Sequence, residues 1–138
     1  MLRIISGKYR HMIIATPNVN TTRPTTDKVR EALMSALGDK LINSTILDLF
    51  AGSGALGLES LSRGAKKAIF CDNNYLAYKT IKDNILKLLT IEGLEMIQKG
   101  NDIITNAAVP GKSQLLVFAT PKAHGIYQGF EYDAIAIA

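Results

Sequence analysis

A glycine-rich hexapeptide between a predicted strand and a predicted helix constrains this chain more than any other feature. The hexapeptide, Gly52-Ser53-Gly54-Ala55-Leu56-Gly57, fits the pattern G-x-G-x-x-G. The apolar run Thr45–Phe50 before it predicts a buried strand, and Leu56–Arg63 after it predicts a helix that Gly64 ends. Glycines in such a turn let the backbone approach a ligand closely and adopt positive φ. The turn therefore predicts an α/β domain that binds a cofactor.

Strand and helix patterns continue to alternate after this turn. They predict a strand, a helix and two further strands, in the order Lys67–Asp72, Tyr75–Leu89, Leu94–Ile97 and Leu115–Ala119. Alternation of this kind is typical of a parallel sheet with helices on its faces. Periodicity does not decide whether Glu131–Ala138 is a helix or a strand.

The N-terminal residues predict a basic hairpin ahead of this core. Leu2–Ile5 and Met12–Ala15 are β-rich runs, and Ser6-Gly7-Lys8 between them supplies turn residues. We therefore predict a single domain in which residues 1–22 are a hairpin extension and residues 23–138 are the cofactor-binding core.

A helix is predicted between the hairpin and the first strand of the core. Thr26 or Asp27 caps its start, and Gly38 ends it. The i, i+4 spacing predicts that one face carries Val29, Leu33 and Leu37 with Ala32 and Ala36. Met34 is also expected to pack in the core.

The composition is that of one packed domain with a mildly basic surface. The chain has 138 residues, of which 47% are hydrophobic, and a net charge of +4 at pH 7. A single cysteine, Cys71, excludes an internal disulfide and fits a reducing, cytoplasmic compartment. No apolar run is long enough for a membrane span, and His11 and His124 lack the spacing of a metal site. The positive charge permits a polyanionic partner such as RNA.

Two acidic residues flank the glycine-rich turn in positions that select the type of cofactor. Asp72 ends the second strand, where a carboxylate accepts hydrogen bonds from ribose hydroxyls. Asp48 lies in the first strand, where its charge repels the pyrophosphate of NAD and complements the ammonium and sulfonium of S-adenosylmethionine. S-adenosylmethionine is therefore favoured over NAD, and the alternative is that Asp48 only caps the turn. Asn101 and Asp102, after the third strand, either contact an adenine edge or cap a helix.

Three blocks of this sequence resemble the RsmD family of methyltransferases: Arg3–Arg10, Arg23–Leu33 and Asp48–Glu59. The resemblance implies a Rossmann-like methyltransferase fold with an N-terminal hairpin. It also implies transfer of a methyl group from S-adenosylmethionine to the exocyclic N2 of a guanine in small-subunit ribosomal RNA, in the cytoplasm. The implied partner is this RNA or the assembling small ribosomal subunit.

The resemblance further implies which residues bind the cofactor and the RNA. Asp48 and the glycines are expected at the methionine end of the cofactor and Asp72 at the ribose, with Asn73 and Asn101 at the adenine. The full set expected to bind the cofactor is Arg23, Thr25, Asp48, Phe50, Ala51, Gly52, Ser53, Gly54, Gly57, Asp72, Asn73, Asn101 and Asp102. The residues expected to face RNA are Arg3, Lys8 and Arg10.

The catalytic motif of the family, Asp-Pro-Pro followed by Tyr or Phe at the end of the fourth strand, is not matched. Spacing favours Thr120-Pro121-Lys122-Ala123 as its position, after a fourth strand at Leu116–Ala119. The alternative places Tyr132–Ile135 on the fourth strand and Ala138 at the position of the acid. The acid is missing on either placement, so no catalytic residue is assigned. The alternative function is therefore a truncated or catalytically impaired domain that binds S-adenosylmethionine and RNA.

Overall fold

In the computed structural model, the described part of the chain forms two sheets and three α-helices. The described residues are 2–17, 27–49, 51–72, 74–93, 97–99, 102–106, 116–120 and 134–137. In chain order the elements are β1 (Leu2–Arg3), β2 (Ile13–Ile14), α1 (Asp27–Leu37), a 3-10 helix (Gly38–Leu41), β3 (Thr45–Leu49), α2 (Ala55–Ser62), β4 (Lys67–Cys71), α3 (Tyr75–Glu92), β5 (Ile97–Lys99), β6 (Asp102–Asn106), β7 (Leu116–Thr120) and β8 (Ala134–Ile137).

The larger sheet has the strand order β5-β6-β7-β4-β3-β8 within the described residues. Its strands β7, β4, β3 and β8 are parallel, with Leu47 of β3 opposite Ile69 of β4 and Ile135 of β8. The small sheet is the antiparallel hairpin of β1 and β2, in which Leu2 faces Ile14. The predicted hairpin and the parallel centre of the sheet are both confirmed.

The edge beyond β7 differs from the predicted all-parallel sheet. β5 pairs with β6, and β6 with β7, in antiparallel fashion. Lys99 and Asp102 are joined by two residues, whereas a parallel crossover needs a dozen or more. The predicted third strand, Leu94–Ile97, overlaps the observed β5 only at Ile97, because residues 94–96 lie outside the described part. The sequence analysis misses β6, although its run Ile103-Ile104-Thr105 is rich in β-branched residues.

The position of β8 decides between the two placements of the missing motif. In Rossmann-like sheets the fourth strand pairs with the first, on the side away from the second. β3, which leads into the glycine-rich turn, pairs with β4 on one side and with β8 on the other. β7 lies beyond β4, where a third strand belongs. The placement of the motif at Thr120-Pro121-Lys122-Ala123 is therefore wrong, and the strand in the fourth position is Ala134–Ile137, which Ala138 follows in the sequence.

Helix α1 buries a different face from the one that its apolar pattern predicts. Val29 is 57% exposed, whereas Arg30 is completely buried and Met34 is also buried. The prediction is therefore wrong for Val29, Ala32 and Ala36, which are exposed, and confirmed for Met34. The reason is a tertiary contact, because the Arg30 guanidinium forms an ion pair with the buried Glu59 of α2 and donates to the carbonyl of Arg3.

Helices α2 and α3 pack on the parallel strands and form the core with them. The fully buried residues of this core include Phe70 of β4 and, from the two helices, Leu58, Ile81, Ile85 and Leu88. Asn74 caps α3, because its side chain accepts the N–H groups of Leu76 and Ala77, and Gly93 ends the helix at a φ of 70°. The helix predicted over Tyr75–Leu89 is confirmed and extends to Glu92.

Candidate cofactor site and the docked N-terminal hairpin

The turn after β3 has the backbone that its glycines predict. Gly52 and Gly54 have φ angles of 60° and 82°, in the left-handed region that glycine adopts without steric cost. The N–H of Gly54 donates to the carbonyl of Ala51 at 2.8 Å, and the N–H of Ala51 donates to the carbonyl of Cys71 at 2.7 Å. Helix α2 starts at the following residue, Ala55, so the predicted arrangement of strand, turn and helix is confirmed.

The third glycine of the turn has a packing role. A Cβ added to Gly57 would lie 2.3 Å from Cε1 of Phe70, so only glycine lets α2 approach β4 this closely. The Gly57 N–H donates to Oδ2 of Asp48 at 3.0 Å. Gly57 therefore has a packing role within the chain, and its contact with a cofactor stays a prediction.

Asp48 is a completely buried acid with one oxygen available. Its Oδ2 accepts the Gly57 N–H, and its Oδ1 has no hydrogen-bond partner among the described residues. The pKa of Asp48 is raised to about 8, chiefly by burial and to a smaller extent by the negative charge of Asp72, while the Gly57 hydrogen bond opposes the shift. Capping therefore accounts for only one of its oxygens, and a cation would compensate the other.

Asp72 connects the end of β4 to the glycine-rich turn. Its Oδ2 accepts the N–H of Gly52 at 2.9 Å, and its Oδ1 accepts the N–H of Asn74 at 2.8 Å. A carboxylate has about four lone-pair positions, so two remain for hydroxyl donors on this partly exposed side chain. Asp72 therefore fixes the turn and keeps acceptors of the type that a ribose requires.

The other residues expected at the cofactor divide into three groups. Ala51 and Ser53 lie in the turn itself and are buried. Asp102 begins β6 at the carboxyl edge of the parallel strands, because the next residue pairs with β7 near its end. It lies two strands from β4, which is about 10 Å in a sheet. The expected residues outside the described part of the chain are Arg23, Thr25, Phe50, Asn73 and Asn101.

The N-terminal hairpin is docked on α2 through its backbone. The buried carboxylate of Glu59 accepts the N–H groups of Ile5 and Ser6 at 2.8 and 3.1 Å. The carbonyl of Ser62 accepts the N–H of Lys8 at 2.7 Å. Gly7, at a φ of 92°, passes so close to this carbonyl that a Cβ there would lie 2.0 Å from its oxygen. The hairpin is therefore fixed to the core by α2.

The residues expected to face RNA are all exposed, and among the described contacts the Lys8 side chain has an ion-pair partner. Arg3 and Arg10 are exposed at the hairpin, whereas the Lys8 ammonium pairs with the carboxylate of Glu92 on α3. The Tyr9 hydroxyl donates to the same carboxylate, and burial together with this acceptor raises the pKa of Tyr9. Arg3 and Arg10 are therefore the better candidates for phosphate contacts.

The sequence analysis misses three side chains that form hydrogen bonds to the N-terminal segment: Glu59, Asn84 and Glu92. Each is a polar residue buried on a helix, and burial of such groups requires partners. Glu59 and Glu92 hold the hairpin as described above. A sequence signal exists for Asn84 alone, because it lies three residues after Ile81 and next to Ile85 on the apolar face of α3.

The family comparison agrees with this arrangement. The family model described as Conserved hypothetical protein 95 matches residues 2–124. The chain belongs to this family. It is the RsmD family that the sequence blocks resemble.

Individual relatives match over much of this chain and over a smaller share of their own length. A protein of Escherichia coli (strain K12) named Ribosomal RNA small subunit methyltransferase D is 35% identical over 126 residues, which cover 87% of this chain and 59% of the relative. A protein of Rickettsia prowazekii (strain Madrid E) named Uncharacterized methylase RP545 is 48% identical over 100 residues, which cover 67% and 42%. The chain thus spans about half the length of the curated relatives it matches.

Solved structures give the same fold. The Escherichia coli protein yhhF matches with a TM-score of 0.57 at 37% identity, over 63% of this chain and 46% of its own. A hypothetical protein from Thermus thermophilus matches with a TM-score of 0.55 at 32% identity, over 69% of this chain and 52% of its own. Within the described part of this RsmD-family chain, no helix has the length and apolar character of a membrane span, and no cluster of potential metal ligands occurs.

Proposed function

We propose that this chain is an S-adenosylmethionine-dependent methyltransferase domain of the RsmD type. Its proposed substrate is the exocyclic N2 of a guanine in small-subunit ribosomal RNA, in the cytoplasm. The observation that carries the proposal is Asp48, because a completely buried acid with a free oxygen beside a glycine-rich turn favours a cationic ligand. A relative of this chain is named as a methyltransferase of small-subunit ribosomal RNA.

The electrostatics also support this cofactor over NAD. A pyrophosphate at the turn would bring two negative charges next to Asp48 and Asp72, and the described hydrogen bonds to these two acids come from backbone N–H groups rather than from cationic side chains. An ammonium or sulfonium would instead stabilise the charged form of Asp48. Without such a cation, burial is the main reason that the pKa of Asp48 is raised to about 8. The two carboxyl groups of the site therefore fit the positively charged S-adenosylmethionine.

The residues of the chain act in this proposal by binding and orientation. S-adenosylmethionine supplies the activated methyl group when bound. Asp48 complements its positive charge, Asp72 accepts from its ribose hydroxyls, and the left-handed Gly52 and Gly54 let the backbone approach it. Exposed Arg3 and Arg10 contact phosphates of the RNA. Holding donor and acceptor in line contributes most to the rate of such a transfer.

A second candidate function is binding of cofactor and RNA without efficient transfer. The observation that favours it is the fourth-position strand β8, which is followed by Ala138 where the family places an acid. Alanine accepts no hydrogen from the guanine amine, and removal of one well-placed electrostatic group costs about 10²–10³ in rate. On this second candidate, labelled methyl transfer to unmodified small-subunit RNA should be very slow. Turnover comparable to that of an intact family member would reject this second candidate.

Titration calorimetry tests the cofactor proposal. We expect the chain to bind S-adenosylmethionine and its demethylated product, and to give no heat with NAD. Asp48→Asn should weaken binding of S-adenosylmethionine about tenfold or more, because hydrogen bonds to charged groups contribute ~1.5–3 kcal/mol. The control Asp83→Asn removes the same charge from an exposed position on α3 and should bind normally. A folded sample that gives no heat with either sulfur ligand at millimolar concentration would reject the proposal.

A further inference from the structure

One buried side chain on α3 connects the exit of the N-terminal hairpin to the glycine-rich turn. The Oδ1 of Asn84 accepts the N–H of Ala15 at 2.9 Å, and its Nδ2 donates to the Ala15 carbonyl at 2.9 Å. The same Nδ2 donates to the carbonyl of Ser53 at 2.8 Å. Asn84 is completely buried, so water does not compete for these three hydrogen bonds.

The amide of Asn84 is almost fully used by these contacts. A carboxamide has two N–H donors and one carbonyl oxygen. Both donors go to carbonyls from two separate segments, Ala15 at the end of the hairpin and Ser53 between the two left-handed glycines. A movement of the turn therefore changes the position of the amide that also holds Ala15.

We propose that Asn84 is a positioning residue that couples the N-terminal hairpin to the glycine-rich turn. A ligand that orders the turn thereby also orders the exit of the hairpin, and RNA held by the hairpin strengthens ligand binding by the same factor. The inference rests on the proposed function, because it takes the turn as the cofactor site and the hairpin as the RNA contact. Asn84 itself contacts neither ligand in this proposal.

The contacts near the tip of the hairpin, which include those of Lys8 and Tyr9 with Glu92 of α3, do not replace this coupling. Glu59 and Ser62 hold residues near the tip of the hairpin, and both belong to α2. Asn84 holds the opposite end, at Ala15, and is the described side chain that bonds to both segments. Loss of Asn84 should therefore uncouple the exit of the hairpin from the turn while the tip stays docked.

Amide hydrogen exchange measured by NMR tests this coupling on the chain as it is. The probe is S-adenosylhomocysteine, and the readout is the exchange rate of the Ala15 N–H with and without it. We expect saturating ligand to slow this exchange by about fivefold or more, the lower end of coupling between linked sites. The amides of Gly52 and Gly54 should slow in the same experiment because they lie at the ligand.

Variants separate coupling from general stability. In Asn84→Ala we expect the turn to respond to the ligand while exchange at residues 13–16 does not. Asn84→Asp keeps an oxygen for the Ala15 N–H but loses both donors, so it should protect Ala15 without responding to ligand. The control Ile85→Val shortens the next buried residue of α3 without touching these hydrogen bonds, and it should keep the full response.

Two results would overturn the inference, and they are distinct from each other. If the turn of the parent responds to the ligand and Ala15 does not, Asn84 is only a structural residue; a response that persists in Asn84→Ala leads to the same conclusion. If the turn of the parent itself does not respond, the proposed cofactor site is rejected, and the inference falls with it. Because the parent protein alone can give either overturning result, the inference can be refuted even if a variant does not fold.

Discussion

Replacing the buried acid Asp48 by asparagine tests the electrostatics of the candidate site most directly. Burial, reinforced by the charge of Asp72, raises the pKa of Asp48 to about 8, whereas an aspartate in an unfolded chain titrates near pH ~3.9. Between these values the unfolded chain has released the proton and the folded chain keeps it. The stability that this group contributes is therefore complete below pH ~4 and is lost as the pH rises through about 8.

The magnitude follows from the difference between the two pKa values. A difference of about four units corresponds to on the order of 5 kcal/mol, because one unit is about 1.36 kcal/mol. About three of these units fall between pH ~5 and ~8, so Asp48 should lower the free energy of unfolding by about 4 kcal/mol across that interval. This is a large part of the ~5–15 kcal/mol by which domains are stable.

The assay is urea unfolding of the parent and of Asp48→Asn, followed by circular dichroism at several pH values and without ligand. Asparagine keeps an oxygen that can accept the Gly57 N–H, but it does not ionise. The other titrating groups are shared, so the difference between the two profiles isolates Asp48. We expect the variant to gain stability relative to the parent as the pH rises. Two parallel profiles would show that Asp48 ionises normally in the folded chain, which would refute the argument for a cationic ligand.

Three further predictions concern other parts of the site. Asp72→Ala should weaken S-adenosylmethionine binding by ~1.5–3 kcal/mol in calorimetry, because it removes charged acceptors; unchanged affinity would make Asp72 purely structural. Gly57→Ala should destabilise the chain by about 1–3 kcal/mol in urea unfolding through overpacking against Phe70, and Phe70→Leu in the same chain should recover part of the loss. Arg3→Ala with Arg10→Ala should reduce the slope of log affinity for RNA against log salt by about 1–2 in filter binding; an unchanged slope would place the RNA surface elsewhere.

The parts of the site that depend on neighbouring residues follow from the sequence. The turn between β3 and α2 needs left-handed backbone at Gly52 and Gly54, and glycine supplies it locally. The start and end of α3 depend in the same way on the Asn74 cap and on Gly93. Asp48 lies within the strand that leads into the turn and Asp72 directly follows the next strand, so their positions beside the turn could be predicted from spacing alone.

Contacts between residues distant in sequence could not be predicted in this way. The apolar spacing of α1 favours burial of Val29, yet Arg30 is buried because Glu59 lies opposite it on another helix. Equally, spacing favoured Leu116–Ala119 over the later segment Tyr132–Ile135 for the fourth strand of the sheet. Only pairing with β3 assigns it to Ala134–Ile137.

The sequence by itself therefore determined the fold class, the glycine-rich turn and the positions of Asp48 and Asp72 beside it, because each depends on interactions within about one element of secondary structure. The tertiary structure alone decided the charge state of Asp48, since its pKa depends on complete burial and on Asp72 across the turn. It also decided the contacts of Asn84, whose amide joins segments 31 and 69 residues away in the sequence. Burial and long-range hydrogen bonds arise only when separate elements pack together, and no local pattern of residues specifies them.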